Sequence, residues 1–235
     1  MKKLISLILL ISIQYLSAQV STQELPNEIS AKLKCLNPQY LVHSPSQSSS
    51  PKPLLIFLHG IGKRGNDVNQ LKAMMRTVSK HSKNHDMLTV MPQCAKNEQG
   101  KGWWVSKDLT LLLEHLKQSL NIDQKKIYLV GFSMGGFGTW DWAMEQPDTF
   151  AAIAPLAGGS RISKVKKIKD LQIWAFHGEK DKTVPYSKTK TLVDALKKAG
   201  SKTVKFSTLE KQGHGIVMPI MKDPKLYEWL AQQKK

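Results

Sequence analysis

Ile127-Tyr128-Leu129-Val130-Gly131-Phe132-Ser133-Met134-Gly135-Gly136 joins a short apolar run to a segment, Gly136 to Glu145, with helical character. An uninterrupted apolar run suits a strand buried on both faces. The turn that follows it carries a serine in G-x-S-x-G spacing, in the strand, turn and helix context that spacing requires. A nucleophile held on a strained turn needs neighbours without a Cβ, so that strand and helix can approach closely, and Gly131, Gly135 and Gly136 supply the room. Such a turn lifts the Ser133 hydroxyl above the sheet, with the N–H groups and positive end of the helix aimed at the same point. Outside this context the pentapeptide would be an ordinary helix-capping serine. Within it, Ser133 is the candidate nucleophile.

The same alternation recurs on both sides of the turn. Leu54 to Leu58, Met87 to Met91, Lys126 to Val130, Ala151 to Pro155, Ile173 to Phe176 and Val204 to Leu209 read as strands. Asp67 to Ser82, Lys107 to Leu120, Gly135 to Glu145, Ser187 to Ala199 and Pro224 to Gln233 read as helices. Strands alternating with amphipathic helices predict an α/β domain, a mostly parallel sheet covered by helices on both faces. Leu109, Leu112, Leu113 and Leu116 recur at helical spacing and are core. Ser44 to Pro53 is a Ser- and Pro-rich surface loop, preceded by a polar stretch to about Ser30. No repeat and no second domain boundary interrupts the pattern.

A serine hydroxyl is a poor nucleophile at neutral pH, so it needs an imidazole in reach and a carboxylate to fix that imidazole's tautomer. Of the seven histidines, His214 lies in a glycine-flanked loop, Gln212-Gly213-His214-Gly215, just after the last predicted strand. His59 and His177 each precede a glycine at a strand end and read as structural. His43, His81, His85 and His115 fall in loops or on helix surfaces and are expected to be exposed. Asp181 sits in the turn after another predicted strand, in His177-Gly178-Glu179-Lys180-Asp181, where Glu179 is the competing carboxylate. The order Ser133, Asp181, His214, at intervals of 48 and 33 residues, is the nucleophile, acid, base order of this architecture.

With those residues in place, the chain resembles compact esterases of the α/β-hydrolase superfamily. The likeness is to exported relatives of dienelactone hydrolase, polyhydroxybutyrate depolymerase and feruloyl or acetylxylan esterases, within the wider phospholipase/carboxylesterase group. It runs from about Tyr40 to Leu230. It is carried by Leu58-His59-Gly60-Ile61-Gly62-Lys63-Arg64-Gly65, Met91-Pro92-Gln93-Cys94, Gly102-Trp103-Trp104, Gly131 to Gly138 with Thr139-Trp140, the acid loop and Gly213-His214. The resemblance implies that the backbone N–H groups of Ile61 and Met134 form the oxyanion hole. It also places Trp103 and Trp104 beside the cleft, where an indole would stack on a sugar or an aromatic acyl group, the other reading of both being packing. Trp140 and Trp142 read as packing. After the histidine, Gly215, Ile216 and Val217 depart from the polar or aromatic residues common in relatives, which leaves the acyl pocket undefined.

Length and composition set the remaining bounds. A chain of 235 residues with 41% hydrophobic content builds one large domain. Lys2, Lys3, the apolar run Leu4 to Leu16 and the small residue Ala18 read as an export signal. The run falls short of the ~20 apolar residues of a spanning helix. The expected organisation is a signal over 1–18, an N-terminal segment over 19–39 and a single catalytic domain over 40–235, secreted or periplasmic, with no stable membrane insertion. Cleavage leaves 217 residues and takes the net charge from +17 to +15. Such a charge favours anionic partners at long range. The lysines are nevertheless scattered apart from Lys164 to Lys169, with no aromatic interleaving, so a solubilising surface is expected and no nucleic-acid partner. Cys35 and Cys94, the two cysteines, are permitted a disulfide in an exported protein, with two buried thiols as the alternative.

No His/Cys/carboxylate cluster has zinc spacing, and no phosphate- or dinucleotide-binding glycine motif is present, so neither a metal nor an organic cofactor is expected. Ala157 to Leu171, where many lipases carry a lid, holds only a short basic loop. The expected chemistry is hydrolysis of small or polysaccharide-borne carboxylic esters through an acyl-enzyme. A peptidase on the same triad and a non-catalytic exported binding protein are the other readings. Sequence leaves the oligomeric state open.

Overall fold

The computed structural model describes residues 20–45, 49–97 and 99–235; the expected export signal lies outside them. Eight strands form one open sheet in the order β1-β2-β4-β3-β5-β6-β7-β8. They are β1 (Val20–Glu24), β2 (Leu36–His43), β3 (Lys52–Leu58), β4 (Leu88–Cys94), β5 (Ile122–Phe132), β6 (Ala152–Leu156), β7 (Gln172–Gly178) and β8 (Val204–Leu209). From β4 to β8 all neighbours are parallel, while β1 and β2 add an antiparallel edge. This is the mostly parallel α/β sheet that the strand and helix alternation predicts, in the form that the resemblance to α/β-hydrolases implies.

The helices are α1 (Asn27–Ser30), α2 (Lys72–Ser82), α3 (Ser106–Ser119), α4 (Met134–Glu145), α5 (Ser187–Lys198), α6 (Val217–Met221) and α7 (Pro224–Ala231). Two apolar clusters separate them by face: α3, α4 and α5 pack on one side of the sheet, α2, α6 and α7 on the other. The leucine stripe of α3 is buried as its spacing predicts. Helix α4 is apolar nearly all round because it is enclosed on several sides, with Trp140 and Trp142 fully buried. Among the described residues no helix is long and apolar enough to cross a membrane.

Two expectations meet a different outcome. A segment ending at residue 39 cuts through β2, so the stretch ahead of residue 40 contributes two strands to the sheet. In β1, residues Ser21 to Glu24 are exposed, which suits an edge strand held by backbone pairing and leaves no apolar signal to read. The helix expected from Asp67 opens instead as a 3-10 turn, Val68–Leu71, capped by the Asp67 carboxylate, before α2 proper. Between Ala157 and Leu171 the chain makes only a 3-10 segment, Ile162–Ile168, anchored by buried Val165 and Ile168, so no lid domain is present there.

The turn between β5 and α4 has no spare volume. A Cβ on Gly135 would lie 2.0 Å from the Leu58 carbonyl oxygen at the end of β3. Gly135→Ala therefore forces two backbone segments apart at a cost of about 3 kcal/mol, and thermal melting should fall by about 6–12 °C. Gly62→Ala, around which nothing lies within 4 Å, should move the melting point by no more than about 2 °C.

Candidate active site

Ser133 sits at the apex of the turn with φ 55° and ψ −117°, a backbone conformation that costs a β-carbon-bearing residue about 1–3 kcal/mol. Its N–H donates to the Leu156 carbonyl at 2.8 Å, so the end of β6 holds the strained residue from the side. Ser133 is buried, with 7% of its surface exposed, and it lines the mouth of a cavity.

Asp181 and His214 arrive on the loops after β7 and β8. Those loops are joined backbone to backbone: Glu179 N–H donates to Leu209 at 3.1 Å and Lys180 N–H to Gln212 at 2.9 Å. A Cβ on Gly178 would lie 2.2 Å from the Gly213 carbonyl oxygen, so the glycine permits this seam. His214 Nδ1 lies 2.7 Å from Asp181 Oδ2, and His214 Nε2 lies 2.8 Å from Ser133 Oγ. The carboxylate accepts only, so Nδ1 carries the proton and Nε2 is left to accept from the serine hydroxyl. Phe132 packs on the imidazole with ring centroids 4.9 Å apart.

Burial by itself raises the carboxyl of Asp181, but hydrogen bonds from His214, Val184 N–H and Thr183 N–H outweigh it and hold the group below the usual carboxylate range. The two backbone bonds, 2.8 and 2.9 Å to Oδ1, leave Oδ2 for the histidine. Buried His177 also faces Oδ2, at 3.2 Å, and its Nε2 lies 2.9 Å from the Val184 carbonyl. Glu179 is exposed, and its side chain takes no part in the group.

The oxyanion-hole candidates are both at the first positions of helical turns. Ile61 opens the 3-10 turn Ile61–Lys63 and Met134 opens α4, and neither N–H has a hydrogen-bond partner among the described residues. Sequence reasoning missed what orients Ile61. Cys94 N–H donates to His59 Nε2 at 3.0 Å, so that nitrogen carries no proton and Nδ1 does. Nδ1 then donates to the Gly60 carbonyl at 2.7 Å. Because the trans peptide opposes its C=O and N–H, tying down the Gly60 carbonyl turns the Ile61 N–H away from His59. Burial, assisted by the charges of Lys63 and Arg64, pulls the His59 pKa down to about 4 against the pull of the Gly60 bond, so the ring stays neutral at physiological pH. The signal in sequence was the His-Gly pair at a strand end, read as structural without its consequence for the next peptide.

Trp103 and Trp104 part company. Trp103 is 44% exposed, whereas Trp104 is buried and donates its indole N–H to the His59 carbonyl at 3.1 Å. Trp104 thus braces the loop that leads into Ile61, and its ring is not open to stack on a ligand. Of the remaining histidines, His43 is buried in β2, contrary to the expected exposure, and His81 stacks on Tyr227. Cys35 and Cys94 are both free thiols; burial and the neighbouring Cys35 push the Cys94 thiol up to about 12.

A cavity of about 380 Å³ opens beside Ser133 and His214. Phe57, Leu71, Met74, Met91, Phe132 and Val217 supply its wall, with Ile61 at the same cavity. An ester placed with its carbonyl between Ser133 and the two N–H groups would have this apolar volume for one of its halves.

Residues 65–227 match the family described as the dienelactone hydrolase family. Over 156 residues the chain is 29% identical to the bifunctional acetylxylan esterase/xylanase XynS20E of Neocallimastix patriciarum, which takes in 62% of this chain and 22% of that protein. Over 138 residues it is 29% identical to poly(3-hydroxyalkanoate) depolymerase C of Paucimonas lemoignei, 52% of this chain and 32% of that one. The chain therefore spans about a fifth to a third of the length of these relatives. The crystal structure of a thermostable esterase matches with a TM-score of 0.78 at 29% identity, over 93% of this chain and 64% of that chain. With a match that covers more than half of the chain and takes in the serine turn and the loops of Asp181 and His214, this protein belongs to the dienelactone hydrolase family.

Proposed function

We propose that this protein is an exported serine esterase whose nucleophile, base and acid are Ser133, His214 and Asp181. The observation that supports it most is the continuous pair of contacts, 2.8 Å from Ser133 Oγ to His214 Nε2 and 2.7 Å from His214 Nδ1 to Asp181 Oδ2. As Oγ adds to the ester carbonyl carbon, its proton passes to Nε2, and the Asp181 carboxylate faces the imidazolium that forms. The carbonyl oxygen becomes an oxyanion and is met by the preoriented N–H groups of Ile61 and Met134. Collapse breaks the bond to the alcohol, which leaves with the proton from Nε2. Water then attacks the acyl-enzyme with His214 as base, which releases the acid and restores Ser133.

The apolar cavity supports an uncharged acyl half longer than acetyl, since each buried methylene contributes about 0.8 kcal/mol. Export and the absence of a lid between Ala157 and Leu171 support an ester reached from solvent, small or carried on a polysaccharide.

A fluorophosphonate should label the folded protein, and Ser133→Ala should abolish the labelling; a folded wild type that the probe leaves untouched would overturn the esterase reading. Asp181→Asn, which favours the wrong imidazole tautomer, should lower turnover by about four orders of magnitude, whereas Glu179→Gln should leave it close to wild type. Between p-nitrophenyl acetate and butyrate, two added methylenes should raise kcat/KM by up to about 15-fold. A preference for acetate would mean that the acyl group does not enter the apolar cavity. His59→Ala, by releasing the Gly60 peptide, should lower kcat by about 10²-fold with KM little changed. Parallel losses in KM and melting temperature would instead mark His59 as packing alone.

A further inference from the structure

A second cavity, of about 520 Å³, opens along α4 and shares no lining residue with the apolar one among the described residues. It begins at Phe137, one turn beyond Ser133, or about 5.4 Å of helix rise; the Phe137 N–H donates to the Ser133 carbonyl at 2.9 Å. Exposed Trp103 lies outside the lining but meets the Phe137 ring edge-on, centroids 5.9 Å apart at 64°, so an aromatic corner flanks the cavity at Phe137. Beyond it the lining turns polar. The next turn of α4 carries half-buried Asp141, whose carboxylate accepts from the Ser160 hydroxyl. Burial raises this carboxyl against the Ser160 bond, Glu145 adds to the rise, and the charges of Arg161 and Lys164 oppose it. Arg161, Lys164 and Lys188 complete the rim, all exposed and none ion-paired among the described residues.

We propose that this cavity is a subsite for an acidic sugar in the alcohol half of the ester, so that the substrate class is an acylated anionic polysaccharide or oligosaccharide. The proposal rests on the esterase reading and adds the alcohol to it. The lining and the indole that packs on its Phe137 answer the features of such a ligand. An exposed indole meets the flat C–H face of a pyranose. A fixed carboxylate accepts from ring hydroxyls, and guanidinium and ammonium groups donate to a sugar carboxylate. Three cations against two carboxylates leave positive charge to be matched, which a neutral sugar does not do. An acyl chain finds no continuous apolar wall here, which separates this cavity in kind from the one beside His214.

The test compares butyrylated oligogalacturonates with butyrylated neutral xylo-oligosaccharides of equal length. The wild type should favour the acidic series in kcat/KM, through KM. Arg161→Ala/Lys188→Ala should lower that ratio about tenfold, the scale of one charge-assisted hydrogen bond. Arg76→Ala/Lys80→Ala, which removes the same charge from α2 on the opposite face of the sheet, should not. Trp103→Ala should raise KM for both sugar series. Equal loss of preference in the α2 variant would reduce the effect to overall charge and overturn the subsite. So would an Arg161/Lys188 variant that keeps the preference, a wild type active on both series alike, or stronger competition from a single-stranded oligonucleotide than from oligogalacturonate. Fluorophosphonate labelling of each protein keeps the two readings apart, because a wild type inert to the probe defeats the esterase reading itself.

Discussion

The site depends on the contact of Gly135 with the Leu58 carbonyl, where the turn after β5 passes over the end of β3 with no room for a side chain. That approach fixes where α4 begins, and therefore where the Met134 N–H stands. It also forces Ser133 into φ 55°, a strain offset by the Leu156 hydrogen bond and by the packing of α4 on both neighbouring strands. Strain of this size persists only where the surroundings over-determine it. Buried Trp140, Trp142 and Phe150 around α4 provide such surroundings, which explains an apolar helix so close to a polar site.

Asp181 and His59 are stable at the carboxyl edge of the sheet because each has its hydrogen-bond partners. Asp181 loses water on burial, yet it accepts from two backbone N–H groups as well as from His214, so the charged form is retained. His59 follows the opposite course: it is kept neutral, with one nitrogen accepting from Cys94 and the other donating to Gly60. The two histidines thus hold the same tautomer for different reasons, His214 through a carboxylate and His59 through a backbone donor. In both cases a partner that cannot change its own hydrogen-bonding role decides where the proton sits.

Much of this was legible in the sequence because it depends on local pattern. The apolar runs of β3 and β5 and the leucine stripe of α3 carry their burial in their spacing. Ser133, Asp181 and His214 could be found because each follows a strand in a glycine-marked turn, and the geometry joins them over 48 and 33 residues of separation. What escaped reading depends on contacts with no local signature. Strand β1 is polar and held by backbone pairing, Trp104 looks like Trp103 until one is seen packed against His59, and β2 buries His43 although its neighbours include Pro38. The choice between Asp181 and Glu179 was also tertiary, since two carboxylates on one loop differ only in which of them the Thr183 and Val184 N–H groups turn inward.

The distribution of charge follows the same division between global and local causes. A net charge of +17 creates a field that draws any polyanion toward the molecule, and salt screens it within about 8–10 Å. Such a field cannot orient a scissile bond. Orientation needs groups fixed against the reacting atoms, and the cavity beside Ser133 has mostly apolar side chains in its wall, with Lys63 as the charged residue among those lining it. A mostly apolar wall there suits the proposed chemistry, because the N–H groups of Ile61 and Met134 would face a developing oxyanion with few competing charges. Charge is therefore spread widely over the surface of this molecule and is sparse in the cavity beside Ser133.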